Sequence, residues 1–398
     1  MRKLTFAVML TSLAVLAGCA GDDTTSLAEK ISLTQYAGQI APVEHSRDGD
    51  VTTYTFDQAQ GPMCMRGDDY LVGVRDTGSD DLVIFLQGGG ACWSVFCLAV
   101  TRATQGVPTA IDLLNPELPG NPVANWNVVY LPYCDGSFFL GDSQHDDNIN
   151  DKGTRYHHGL ANLTAALEVA LMRFPAPDRI LLAGSSGGAY GLLFAGPLVR
   201  HYYPEAELIL MADSGLGLAR DGDAAYTQVL LDEFNLNRFL PANCPTCFSN
   251  GNLTGLFGYF LAHDKHVRIG AYTSWFDGVL ATVFLQIPGD RYADAITSQT
   301  GALHDAYPDR FRRFVTDGNQ HTALLGDPSG IVGTDYGAVE LPPDSMAALI
   351  DNVNIGGMDT TAIGQTTMTT WLRGLIEGDL DAWTDILEER GTAPDTQE

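Results

Sequence analysis

The residues best placed to do chemistry lie in Gly184-Ser185-Ser186-Gly187-Gly188, a G-x-S-x-G run. It falls between an apolar stretch, Arg179–Ala183, and a helix-compatible stretch from Ala189 to about Tyr202. A sharp turn between strand and helix holds its middle residue in a strained, exposed conformation, and flanking glycines keep side chains clear of the neighbouring elements. Ser186 is therefore the candidate nucleophile, and the chemistry is attack of a hydroxyl on an acyl carbonyl. A dinucleotide-binding turn on Gly184, Gly187 and Gly191 would need glycine where Ser186 stands, and the run lies mid-chain, outside any first βαβ unit. A merely structural turn stays open until a base and an acid are found.

Both are available in the chain order Ser, acid, His that suits such a turn. His321 lies just past an expected last strand, Phe311–Thr316, and is the only histidine after His304, which sits in a helix-like segment. Its Nε2 would take the Ser186 proton and return it to the leaving alcohol. Asp277, in Tyr272-Thr273-Ser274-Trp275-Phe276-Asp277, follows the strand before the histidine, among aromatics able to bury it against the imidazole. Asp213, after the strand Leu208–Ala212, is the rival acid. Gly88-Gly89-Gly90 ends an earlier strand, and the amides of Gly89, Gly90 and Gly187 can be aimed together at a developing oxyanion.

Such groups need a scaffold that brings loop ends together. Continuous apolar runs at Leu82–Gln87, Asn127–Leu131, Arg179–Ala183, Leu208–Ala212 and Val267–Ala271 read as strands buried on both faces. Val51–Phe56 and Tyr70–Arg75 read as two shorter strands before them. Leu160, Leu163, Leu167 and Leu171 recur at spacings of three and four and mark a helix over Arg155–Phe174. Strands alternating with helices predict a doubly wound, mostly parallel sheet of the α/β class, with ligands beyond the carboxyl ends of its strands.

At the start of the chain, Arg2 and Lys3 precede an apolar run from Leu4 to Leu16, too short for a membrane span, followed by Ala17-Gly18-Cys19. This resembles a bacterial lipoprotein signal over 1–18, with acylation of Cys19, a tether over 19–30 and an outer-membrane or cell-surface address. The remaining cysteines, Cys64, Cys92, Cys97, Cys134, Cys244 and Cys247, suit disulfides outside the cytosol, with fifteen pairings open in principle. Cys92 with Cys97 and Cys244 with Cys247 are near enough in sequence to pair locally, leaving Cys64 with Cys134. Zinc on Cys244 and Cys247 is the rival for that pair, without a second CxxC. The chain carries 49 acidic and 22 basic residues, a formal −27, and losing Arg2 and Lys3 with the signal would make it −29. So acidic a surface disfavours nucleic acid as a partner. A hydrophobic content of 45% supports one large core, so residues 31–398 read as a single domain with insertions.

Phe85-Leu86-Gln87-Gly88-Gly89-Gly90-Ala91-Cys92, Tyr133-Cys134-Asp135-Gly136-Ser137-Phe138 with Gly141-Asp142, the Ser186 turn, Ala212-Asp213-Ser214-Gly215 and the Asp277 and His321 segments together resemble the pectin acetylesterase family. That family includes plant pectin acetylesterases and animal Notum-type deacylases. The resemblance implies an α/β-hydrolase fold, no metal or other cofactor, a triad carried onto Ser186, Asp277 and His321, and pairing of Cys64 with Cys134 and Cys92 with Cys97. Gln87, Gly187 and Gly318 stand where the family usually has glutamate, alanine and a nearby cysteine. The resulting expectation is an exported, lipid-anchored serine esterase that removes acetyl or short acyl groups from an extracellular polysaccharide, with Trp93 and Asp135 shaping the pocket. A lipase-like or polyester-cleaving hydrolase is the alternative, with Phe257, Tyr259, Phe260, Leu324 and Leu325 as a lid. A glycan-binding surface lipoprotein without turnover is the alternative outside enzymes.

Overall fold

The computed structural model describes residues 25–147, 153–327, 339–340 and 354–393; Cys19 and the expected signal lie outside them. A ten-stranded sheet runs through the molecule, built from β1 (Pro42–Asp48), β2 (Val51–Phe56), β3 (Leu71–Arg75), β4 (Asp81–Leu86), β5 (Asn127–Leu131), β6 (Arg179–Ser185), β7 (Glu207–Asp213), β8 (Arg268–Ser274), β9 (Phe311–Thr316) and β10 (Ile386–Leu387). Their spatial order is β1-β2-β3-β5-β4-β6-β7-β8-β9-β10. The first three strands are antiparallel to their neighbours, and every pairing from β5 to β10 is parallel. The expected doubly wound sheet is therefore present as a mixed sheet with a seven-stranded parallel part.

The central strands are apolar on both sides because alternate residues enter two different cores. Leu82, Ile84, Leu86, Ile180, Leu182, Leu208 and Leu210 point to one face, where α1 (Gly159–Arg173), α2 (Gly187–Tyr202) and α4 (Gly255–His263) pack. Val83, Phe85, Leu181, Ala183, Ile209 and Met211 point to the other, covered by α5 (Met368–Glu377) through Trp371, Leu372 and Leu375. Between α2 and α4 in sequence, α3 (Ala224–Glu233) is amphipathic, with Thr227 and Leu231 buried.

Two expectations need correction. The helix expected over Arg155–Phe174 begins only at Gly159, and Gly153–His157 is instead a strand paired antiparallel with Ser143–Asp147. Burial over Thr154–His157 alternates with period two, and the helical spacing of apolar residues starts at Leu160, so the boundary follows the change of period. The tether expected over 19–30 is also shorter: Leu27–Lys30 forms a helical turn with a Ser26–Glu29 capping box, and Ala28 is buried against α2.

All three disulfides form as the spacing indicated: Cys64–Cys134, Cys92–Cys97 and Cys244–Cys247. The last takes up both sulfurs of the lone CxxC, the rival zinc site. Cys64–Cys134 ties the segment between β2 and β3 to the loop after β5 across 70 residues, which in a chain-entropy account removes about 4 kcal/mol of unfolded-state freedom. Among the described residues no helix is long and apolar enough to cross a membrane.

Candidate active site

The predicted catalytic and oxyanion residues lie in the segments that follow β4, β6, β8 and β9 or at the start of α2, at the carboxyl edge of the parallel sheet. Ser186 occupies the one-residue joint between β6 and α2, with φ 53° and ψ −122°. Such a conformation costs a non-glycine residue about 1–3 kcal/mol and persists where surrounding contacts enforce it. Here the Ser186 amide donates to the Asp213 carbonyl at 2.7 Å, while Ala189 and Tyr190 donate back to the Ser186 carbonyl. Close packing leaves no room for side chains nearby: a Cβ on Gly188 would stand 2.1 Å from the Leu86 carbonyl oxygen.

The glycine run after β4 lies against this joint. A Cβ on Gly88 would come within 3.1 Å of the Ser186 Cβ, and one on Gly187 within 2.9 Å of the Gly90 oxygen. Gly90 takes φ 79°, a conformation open to glycine at little cost, and its carbonyl accepts from the buried Tyr133 hydroxyl at 2.8 Å. Gly187 is the first residue of α2, so its N–H has no partner within the helix. Gly88 thus packs on the Ser186 side chain and Gly90 on Gly187, beside the joint where an oxyanion hole would lie, while Gly89 between them packs on Tyr133.

His321 and Asp277 come together from the loops after β9 and β8. Both are buried, and His321 Nδ1 lies 2.9 Å from Asp277 Oδ2 and 3.0 Å from Oδ1. Because a carboxylate only accepts, Nδ1 carries a proton, and in the neutral imidazole Nε2 then presents a lone pair. Asp277 caps the following helical segment, with Oδ1 accepting from the Val279 and Leu280 amides at 3.1 and 2.9 Å. His321 Nε2 is buried and has no hydrogen-bond partner among the described residues, Ser186 included. In free enzymes such a contact is often longer than in the complex with substrate.

Asp213 is oriented differently. Its carboxylate accepts from Ser185 Oγ at 2.6 Å and from the amides of Ala323 and Leu324 at 2.7 and 3.2 Å. The imidazole Nδ1 is held by Asp277 and not by this rival. Burial pushes the Asp213 carboxyl up to about 6, against the opposing effect of those hydrogen bonds and of His321.

A cavity of about 800 Å3, counting the part open at its mouth, begins at Ser186, Gly187 and Gly90 and runs under α3. Its walls are almost wholly apolar, among them Phe138, Tyr190, Leu193, Leu230, Phe234 and Phe284, and no charged side chain among the described residues lines it. Phe138 stacks on Tyr190 at 5.3 Å between ring centroids and meets Phe234 edge-on at 5.8 Å. Trp93 is on the wall, edge-on to Tyr226.

Asp135 does not reach the cavity, and this expectation is corrected. Its buried carboxylate folds back onto the amides of Ser137 and Phe139, where it braces the turn that presents Phe138. The lid residues expected in the insertions are also elsewhere. Phe257, Phe260, Leu324 and Leu325 are buried in the two cores, Tyr259 packs against one of them, and none of the five lines the cavity. The covering wall comes instead from α3 and the segment Leu280–Leu285. Sequence reading missed Tyr226, Leu230 and Leu231 of α3; their spacing of four and one shows an apolar helical stripe, with nothing local to show what it covers.

A mixed α/β architecture with a mostly parallel sheet, a serine at a strained strand-helix joint and a buried His–Asp pair at the same sheet edge define the class of molecule. A family model described as Pectinacetylesterase matches residues 45–261, more than half of the chain. The chain belongs to the pectinacetylesterase family, whose members are carboxylic ester hydrolases. The matched span includes the glycine run, the Tyr133–Asp142 segment, Ser186 and Asp213, and ends before Asp277 and His321.

Proposed function

We propose that this protein is a serine carboxylesterase of the α/β-hydrolase type that removes acetyl groups from an extracellular polysaccharide. The observation that carries this reading is the buried Asp277–His321 pair, whose Nε2 has no partner among the described residues and belongs to the same sheet edge as the strained Ser186. Ser186 Oγ attacks the acetyl carbonyl carbon while Nε2 takes the hydroxyl proton, and the carbonyl π electrons move onto oxygen. The Gly89, Gly90 and Gly187 amides stabilise that oxyanion. Collapse breaks the bond to the sugar oxygen, which leaves as an alcohol with the proton from His321. Water then attacks the acetyl-Ser186 carbonyl, giving its proton to Nε2, and the second collapse releases acetic acid and restores the serine hydroxyl. Asp277 keeps the proton on Nδ1 throughout and offsets the imidazolium charge.

Export as a lipoprotein is part of the same reading. Its supports are the Leu16-Ala17-Gly18-Cys19 segment and three disulfides, which persist in oxidising compartments. A single domain from about Thr25 onward fits the continuous ten-stranded sheet.

One observation favours a second reading, in which the acyl group is longer than acetyl. An acetyl group extends one C–C bond, about 1.5 Å, beyond its carbonyl carbon. The cavity wall on α2 runs from Gly187 to Phe194, about 10 Å along the helix axis at 1.5 Å per residue. Nitrophenyl esters from acetate to palmitate decide between the readings. A kcat/KM that peaks at acetate supports deacetylation, and a rise through medium chain lengths moves the substrate to a longer acyl ester. No hydrolysis of any member, with no labelling of Ser186 by a fluorophosphonate, would remove the esterase reading.

A further inference from the structure

We infer that Asp213 is a positioning residue for the reaction: its carboxylate clasps the backbone after His321 to the serine that precedes the nucleophile, and so holds base and nucleophile in register. The inference rests on the assignment of Ser186 and His321 proposed above. It starts from the sheet. Asp213 ends β7, and in the parallel ladder it is the direct partner of Ser185, the last residue of β6. Both are fully buried.

From that point Asp213 reaches two loops. On the nucleophile side its carbonyl accepts from the Ser186 amide, and its carboxylate accepts from Ser185 Oγ. On the histidine side the same carboxylate accepts from Ala323 through Oδ1 and from Leu324 through Oδ2. The next residue, Ser214, accepts from the Thr322 amide through its Oγ at 2.9 Å. Three successive amides after His321 are thus fastened to the end of β7, two strands away from β9 on which the loop began. The same loop is also tied to the rest of the chain, His321 through its backbone to Asn354 and Gly356 and Leu324 through its carbonyl to Leu113, but among the described residues only the Asp213 carboxylate joins it to the nucleophile joint. Within the loop Thr322 takes φ 65°, an uncommon conformation for a β-branched residue, and its hydroxyl is buried without a partner among the described residues.

The donor set favours an ionised acceptor. Two amides and one hydroxyl converge on the carboxylate, and amides cannot reverse their direction. The titratable groups facing Asp213 are His321 from the loop after β9 and Tyr272 from β8, with Asp277 beyond the imidazole; no arginine or lysine pairs with it among the described residues. Burial without a cation holds its carboxyl near 6, so on the acid side of neutrality it takes up a proton and the clasp loses an acceptor. The Ser185 hydrogen bond opposes that shift.

The test compares wild type, Asp213→Asn and Ser185→Ala, with working sites counted by fluorophosphonate titration of Ser186 and kcat and KM for nitrophenyl acetate measured per titrated site across an acid-to-neutral pH series. In Asp213→Asn the expected result is a fall in kcat of about tenfold or more with KM little changed, the pattern of a group that serves the transition state. The acid limb of log kcat should be less steep in the variant than in wild type, because the proton that Asp213 takes up is no longer part of it. In Ser185→Ala the acid limb should move to higher pH, because a hydrogen bond to the ionised form is gone. A merely structural role would lower the number of titratable sites and leave these limbs where they are. Normal labelling at Ser186 with wild-type kcat and acid limb in Asp213→Asn overturns this inference alone. If that variant does not fold, an unmoved acid limb in Ser185→Ala overturns it. Absence of wild-type labelling at Ser186 overturns the nucleophile assignment and this inference with it.

Discussion

Asp277→Asn is expected to abolish most turnover while leaving the fold in place, and the geometry says why. Asp277 Oδ1 accepts from the Val279 and Leu280 amides, so the asparagine carbonyl oxygen must take that position and the amide nitrogen the position of Oδ2. That nitrogen would then face His321 Nδ1 at about the present 2.9 Å. Since it only donates, it opposes a proton on Nδ1, for which the carbonyl oxygen at 3.0 Å, already shared by two amides, is the one acceptor left, and it shifts the imidazole toward the tautomer that carries its proton on Nε2. A base with its proton already on Nε2 cannot take another from Ser186. A wrong tautomer of this kind lowers kcat by about 10⁴-fold in triads of the same logic, about 5.5 kcal/mol at 1.36 kcal/mol per tenfold. The two cap hydrogen bonds survive, so thermal unfolding should shift little. Steady-state kinetics on nitrophenyl acetate, beside a melting curve, measures both. A kcat within tenfold of wild type, in a variant that melts normally, would refute the reasoning and return the choice of acid to the other carboxylate at this sheet edge.

Ser186→Ala is expected to lower kcat by about 10³-fold or more with the fold intact, and Ser185→Ala to lose far less at neutral pH; equal losses in the two variants would refute the assignment of the nucleophile. Neutral acetylated glycans such as xylan or mannan are expected to be deacetylated faster than acetylated polygalacturonate at low salt, because the chain carries a formal −27 and no charged side chain among the described residues lines the cavity. The gap should narrow with added sodium chloride as the screening length falls toward about 8 Å at physiological ionic strength, and preference for the pectic polymer at the lowest salt would contradict the charge argument. Cys19→Ser is expected to move the protein from the membrane to the soluble fraction, checked by fractionation and gel mobility; retention with unchanged mobility would refute lipidation at that cysteine.

Where the signal was local, the sequence determined the outcome. The apolar runs of β4 to β9 are continuous because both faces of each strand are covered, and such runs are visible without a partner. The Ser186 turn is equally local, since strand, glycines and helix are consecutive and their packing demands act over a few residues. The disulfides Cys92–Cys97 and Cys244–Cys247 follow from short separations, and Cys64–Cys134 from what those left over.

Tertiary structure decided what depends on direction across strands. Asp213 and Asp277 each lie at or just past the end of a neighbouring strand, and spacing alone could only rank them; the orientation of each carboxylate, one toward Nδ1 and one toward three donors around the elbow, is set by loops that meet only when β6 to β9 are aligned. Asp135 was misplaced because a short polar turn can aim a carboxylate outward or back onto its own amides, and burial of the Tyr133–Leu140 segment selects the second. The apolar residues of the insertions could be assigned to core or lid only once it was known which of them stand over Ser186. Phe257, Phe260, Leu324 and Leu325 serve the cores, while Leu230, Leu231 and Phe234 wall the cavity, because hydrophobicity fixes that a side chain is buried and the fold alone fixes against what.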